Sequence, residues 1–158
     1  MKLITADLID DLVAKAGQSP RRRTNYNVHG SGEDPVQRYF IAAKQDTYFR
    51  PHRHPAKWEF ALVVRGGFDV LVFDDEGRVT ERQAVGPEAG VLAFEIPANT
   101  WHTWLPTAED SAFVEVKQGP YDPASAAEFA RWAPEEGAPE VGAFIERLRG
   151  AAVGDAVA

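Results

Sequence analysis

Between Val36 and Lys117 the sequence is cut into short apolar runs by closely spaced turn formers, and this constrains the fold more than any other feature. The runs are Val36 to Ala43, Tyr48 to His54, Glu59 to Val64, Phe68 to Phe73, Val79 to Val85, Val91 to Ile96, Trp101 to Leu105 and Ala112 to Lys117. Gly66-Gly67, Asp74-Asp75-Glu76-Gly77, the loop from Gly86 to Gly90 and Pro97-Ala98-Asn99-Thr100 separate them. About eight short strands with frequent turn signals predict a mainly β sandwich or barrel.

The flanks read differently. Thr5 to Ala16 predicts a helix, with Thr5 as N-cap, Leu8, Ile9, Leu12 and Val13 as an apolar stripe, and Gly17 as its end. That stripe needs a cover, either the chain's own barrel or a second subunit. A homodimer built on this helix is the expectation. Gln18 to Pro35 is polar and turn-rich and reads as a long connection. Asp122-Pro123 predicts the start of a helix over Ala124 to Trp132, and Val141 to Arg149 predicts another. The tail from Gly150 to Ala158 lacks periodicity and is expected to be mobile. The chain thus divides into residues 1–35, a helix and connecting loop; 36–119, the barrel; and 120–158, a helical segment and tail. At 158 residues these form one structural domain.

Net charge and residue usage exclude several function classes. A net charge of −7 argues against a nucleic-acid partner, and the basic run Arg21-Arg22-Arg23 is local. With no cysteine there is no disulfide, thiolate metal site or cysteine nucleophile, which fits a cytoplasmic location. Asp7, Asp10 and Asp11 interrupt the N-terminal apolar residues, so neither a signal peptide nor a membrane span is expected there.

The chemistry concentrates in Pro51-His52-Arg53-His54-Pro55-Ala56-Lys57-Trp58-Glu59. Side chains two apart on a strand share a face, so His52 and His54 project together, with Tyr48 and Arg50 on the same side. The turn at Pro55-Ala56-Lys57 can bring Glu59 back towards them, with Ala61 and Val63 facing the same way. His102 follows the turn at Pro97 to Thr100. Three imidazoles and a carboxylate suit one divalent ion such as Zn, Ni, Fe, Mn, Co or Cu. Each group alone has a plainer reading, as a packed ring or a solvated charge. Together, buried, they are costly unless paired or metallated.

Tyr48, Glu95 and His29 are the candidate acid–base groups. Arg50 and Arg38 are candidates for holding an anionic or sugar-like small molecule. Lys44 fits a surface ion pair better. Trp58, Trp101 and Trp104 suit either sugar stacking, with Trp104 the substrate-binding candidate, or core packing.

His52, His54, Glu59 and Gly66 match the spacing of the first motif of the cupin superfamily, and Pro97, Asn99 and His102 that of the second, so the chain resembles a cupin. Asn99 replaces a glycine, a mild departure because Asn tolerates a left-handed turn. Asp46 and Pro106 depart from the usual motif ends. A closer resemblance, to the WbuC family of cupin-fold metalloproteins, rests on Asn25-Tyr26-Asn27-Val28-His29, Asp34-Pro35-Val36-Gln37-Arg38, Arg50 to Pro55 and Phe113 to Pro123. It implies a double-stranded β-helix (jelly-roll) barrel with a helical N-terminal extension and a bound divalent metal at His52, His54, Glu59 and His102. It also implies an association with bacterial surface-polysaccharide (O-antigen) gene clusters. Three functions remain open: a metalloenzyme for a small oxygenated or sugar-derived substrate, a non-catalytic metal-dependent binding module, or a structural metal site.

Overall fold

Strands with one apolar face close on each other, and in the computed structural model they form two facing five-stranded antiparallel sheets; residues 1–124 and 126–158 are described. The strands are β1 (Arg23–Asn27), β2 (Val36–Lys44), β3 (His52–Arg53), β4 (Glu59–Arg65), β5 (Phe68–Phe73), β6 (Val79–Val85), β7 (Ala93–Ile96), β8 (Trp101–Pro106), β9 (Asp110–Gln118) and β10 (Glu128–Phe129). One sheet has the order β1-β2-β9-β4-β7 and the other β10-β3-β8-β5-β6. The mainly β jelly-roll barrel is therefore present.

The core lies between the sheets. Ala61 and Val63 of β4 and Phe113 of β9 meet Phe68 and Val70 of β5 and Trp104 of β8. The burial of β4 alternates from Glu59 onward, so Glu59, Ala61 and Val63 point inward together. At the β4–β5 turn Gly66 has φ of 61°, and a Cβ there would fall 2.4 Å from the Asp110 carbonyl oxygen. Only glycine fits that approach.

The N-terminal helix α1 (Ala6–Gln18) is capped by Thr5, whose hydroxyl accepts from the Leu8 amide at 3.2 Å. It runs past Gly17 and ends at Ser19. Ile9, Leu12, Val13 and Ala16 are buried against Ala42 of β2 and Ala112 of β9. The stripe packs on the chain's own sheet, with Leu8 half-buried at its edge.

Four expectations are corrected. The connection at residues 18–35 contains a strand, β1, paired with β2 from Arg23↔Ala43 to Asn27↔Tyr39. Of the run Tyr48 to His54, only His52 and Arg53 are strand. The helix expected over Ala124 to Trp132 is absent among the described residues; residue 125 lies outside them. Instead β10 pairs with β3, and Ala130 donates its N–H to the Pro51 carbonyl at 2.9 Å. Pairing satisfies the edge of β3, while Ala130 and Ala133 bury in the core beside α2 (Val141–Gly150). The C-terminal tail is docked rather than loose. Val157 is fully buried, Ala156 bridges Arg78, and the Val157 amide donates to Gly77 O at 3.0 Å. No described helix is long and apolar enough to cross a membrane.

Candidate metal centre

Three short elements and one turn deliver four donor side chains to one point between the sheets. His52 on β3 is the register partner of His102 on β8, and His54 lies just beyond β3. Glu59 opens β4 in the opposite sheet. One donor atom from each lies within 4.8 Å of all the others. The turn before β8 holds Asn99 at φ of 64°, the left-handed geometry that its asparagine tolerates.

The rings are held in a single tautomer. Nδ1 of His52 lies 2.9 Å from Arg50 O, Nδ1 of His102 2.8 Å from Thr100 O, and Nδ1 of His54 2.5 Å from Ala126 O. A carbonyl only accepts, so each Nδ1 carries the proton and donates it. In the neutral ring, Nε2 then presents its lone pair. His54 Nε2 lies 2.9 Å from Glu59 Oε2, and His102 Nε2 lies 3.0 Å from Glu59 Oε1. Those short separations do not complete hydrogen bonds: both Nε2 atoms and both Glu59 oxygens are buried without a partner. With the rings neutral, lone pairs face lone pairs in a site where Glu59 is 2% exposed. A cation is the group that relieves this arrangement, and the four residues can hold a metal ion.

The electrostatics agree. Burial alone would raise Glu59, but the His102 charge and the close approach of the His102 and His54 rings outweigh it and hold the carboxyl well below its ordinary range. Burial opposes charge on His102, yet the Glu59 carboxylate outweighs that and raises it. Burial, then the neighbouring His102, hold His52 well below the usual imidazole range.

A cavity of about 360 Å³ opens beside His52 and His54, lined also by Arg50, Lys117, Tyr121 and Phe129. Arg50 lines this cavity although residue 50 is not strand. Its guanidinium donates to Ala130 O at 3.2 Å and lies over the Phe129 ring, while its Nε is buried without a partner.

Other expected residues lie elsewhere. Residues 48–51 are not strand, so Tyr48 does not share the histidine face. Its hydroxyl donates to Pro134 O at 3.0 Å, it packs on Phe144, and burial raises its phenol. Glu95 is exposed on the outer face of β7, opposite Phe60. His29 is buried with its Nδ1 3.0 Å from the Arg38 amide and its ring edge-on to Tyr39. Arg38 is exposed and pairs with Asp34. Trp104 is buried in the core, stacked on Phe113 at 4.2 Å, and presents no sugar-stacking face. Lys44 makes an ion pair with Asp110.

Two groups unrecognised from the sequence face the site. On β9 the inward parity of Phe113 continues through Glu115 to Lys117, and Lys117 stands directly across from Glu59. Its ammonium lies 2.6 Å from Glu115 Oε1. Burial works against that charge, but Glu115 and then Glu59 outweigh it and raise the lysine. The signal available was strand parity counted from Phe113.

A family model described as "Domain of unknown function (DUF6016)" matches residues 4–85, a stretch holding three of the four donors. Comparison with curated proteins gives no match. Among solved structures, the chain is similar to KdgF from Halomonas sp., with TM-score 0.52 and 21% identity over 67% of this chain and 84% of that one. It is also similar to a cupin 2 conserved barrel domain protein from Rhodopseudomonas palustris, with TM-score 0.52 and 16% identity over 68% and 66% of the two chains. An oxalate oxidase in complex with the substrate analogue glycolate aligns with TM-score 0.55 and 15% identity, over 84% of this chain and 68% of that one. These likenesses show the fold to be that of the cupins.

Proposed function

The chain belongs to the family described as "Domain of unknown function (DUF6016)", and since that membership prescribes no activity, we propose from the site that it is a divalent-metal cupin acting on a small oxygenated molecule. His52, His54, Glu59 and His102 are the proposed ligands. The observation that carries this is the convergence of unpartnered Nε2 and carboxylate atoms in a buried, tautomer-fixed cluster. Such an ion supplies a Lewis acid that polarises an oxygen of a bound molecule.

The chain's own residues supply the rest. Carbonyls of Arg50, Thr100 and Ala126 hold the imidazoles in register. Phe129 and the β10 segment wall the cavity on the His52 side. Arg50 and Lys117 draw an anionic group to the same cavity. The segments resembling the WbuC family support a substrate derived from surface-polysaccharide metabolism. The non-catalytic binding reading draws on one observation: Tyr48, Glu95 and His29 do not line the cavity.

Elemental analysis of the purified protein tests the proposal. It should give close to one divalent ion per chain, and the doubly substituted His52→Ala, His54→Ala protein should carry none. Equal metal in both overturns the ligand assignment.

A further inference from the structure

The cavity beside the histidines is one lobe of a longer groove. A second lobe of about 400 Å³ shares Arg21, Arg23, Phe49, Lys117 and Tyr121 with it and extends over the inner face of β1 and β2. Its floor is polar. Arg23, Asn25 and Asn27 share one face of β1 and line the groove, the two asparagines exposed to solvent, and Tyr39 and Glu115 lie in the next two strands of the same register row as Asn27.

Charge is concentrated at the junction of the lobes. Arg21, Arg23, Arg50 and Lys117 line the groove against the carboxylates Glu115 and Glu136. Arg21 and Arg23 are both committed to Glu136, and Arg23 also donates to Tyr48 O at 2.7 Å. They set a positive field but are not poised as a bidentate clamp. Lys117 is different. An ammonium has three donors, and the contact with Glu115 uses one. The other two can serve a carboxylate placed at the junction, whose single charge one ammonium matches, whereas a phosphate monoester carries about −1.5 to −2.

The far lobe suits hydroxyls. Asn25 Nδ2 donates to Asn27 Oδ1 at 2.6 Å, which orients the other amide atoms of the pair for further contacts. With Tyr39 and Glu115 the lobe offers both donors and acceptors, and a hydroxyl is the group that uses both. Phe49 and Tyr121 supply apolar wall.

We infer that this groove binds a polyhydroxy carboxylate, its carboxylate at Lys117 beside the metal centre and its hydroxyls along Asn25, Asn27 and Glu115. The inference rests on the metal reading above and narrows it to a substrate class.

Calorimetric titration of the full chain, as purified and after loading with a divalent ion, tests it with four probes. Gluconate carries both features, sorbitol only the hydroxyls, acetate only the carboxylate, and inorganic phosphate is the alternative anion. Gluconate should bind about tenfold or more tighter than any of the other three. Lys117→Met should weaken gluconate and acetate about tenfold and leave sorbitol unchanged, with Lys117→Arg recovering part of the loss. Asn27→Ala should weaken gluconate and sorbitol but not acetate. A merely structural role for either residue does not separate the probes in this way. Phosphate or sorbitol binding as tightly as gluconate overturns the inference, as does gluconate binding unchanged by Lys117→Met. Metal content is measured on every sample. Metal present with the probe pattern absent defeats this inference alone. Metal absent defeats the metal reading, and the same pattern read on the metal-free protein still decides whether the groove takes the carboxylate.

Discussion

The backbone N–H of Asn99 donates to the carbonyl oxygen of His54 at 2.8 Å, tying the turn that positions His102 to the segment that carries the first two histidines. The contact depends on Asn99 keeping φ at 64°. Asn99→Gly should preserve it, with metal affinity unchanged. Asn99→Val should strain the turn by about 1–2 kcal/mol and weaken metal binding. Thermal unfolding and metal titration of the two variants check this.

Tyr48 is tied to Pro134, outside the cavity. Tyr48→Phe should cost about 1 kcal/mol from the lost buried hydrogen bond. Metal content and ligand binding should stay at the wild-type level. A loss of either with the fold intact would return Tyr48 to the site.

Val157 belongs to the same core cluster as Phe144 and Leu148. Val157→Ala should destabilise the protein by about 2 kcal/mol through lost burial and a residual cavity. Denaturant unfolding measures it; an unchanged midpoint would show that the tail is loose after all.

Protons and metal compete at His102. Its pKa is raised because Glu59 outweighs the penalty of burial, so the metal-free pair keeps a proton where a ligand needs a lone pair. In the metal-free protein the pair's stabilisation is fully present below the ordinary imidazole value of 6.5 and is lost as pH rises through the higher folded value. Glu59 is depressed, so its part is present above 4.5 and is lost as pH falls through its lower folded value. Metal binding has the opposite slope to the His102 term. Affinity should rise with pH, by up to about tenfold per unit for each proton displaced, and level off above the His102 pKa. Metal titrations from pH 5.5 to 8.5 check the sign.

The donor residues are legible in the sequence because each sits at a strand end next to a turn with strong local chemistry. His52 and His54 are flanked by prolines, and His102 follows Pro97-Ala98-Asn99. The barrel is legible for the same reason. β1 is not, because the face that carries Arg23, Asn25 and Asn27 lines a polar groove, so the apolar alternation that marks a strand is missing. The segment through Glu128 and Phe129 misleads in the opposite way. Its alanines suit a helix, but Ala130 and Ala133 are small because they pack into the core beside a strand edge. Tyr48 lies outside the cavity because counting by twos holds only within a continuous strand, and the strand at His52 begins after it. The apolar stripe of α1 says that the helix must pack on something but not on what; the contact with Ala42 and Ala112 of the chain's own sheet is set by packing, which periodicity does not encode.

His52, His54, Glu59 and His102 are proposed to share one ion. Diffraction from crystals of the metal-bearing protein, collected above and below the absorption edge of the ion found by elemental analysis, tests this most directly. The predicted result is a single anomalous peak between the sheets, about 2.0–2.3 Å from Nε2 of His52, His54 and His102 and from a Glu59 oxygen. A strong peak elsewhere, with Glu59 bound only to the two imidazoles, would contradict it.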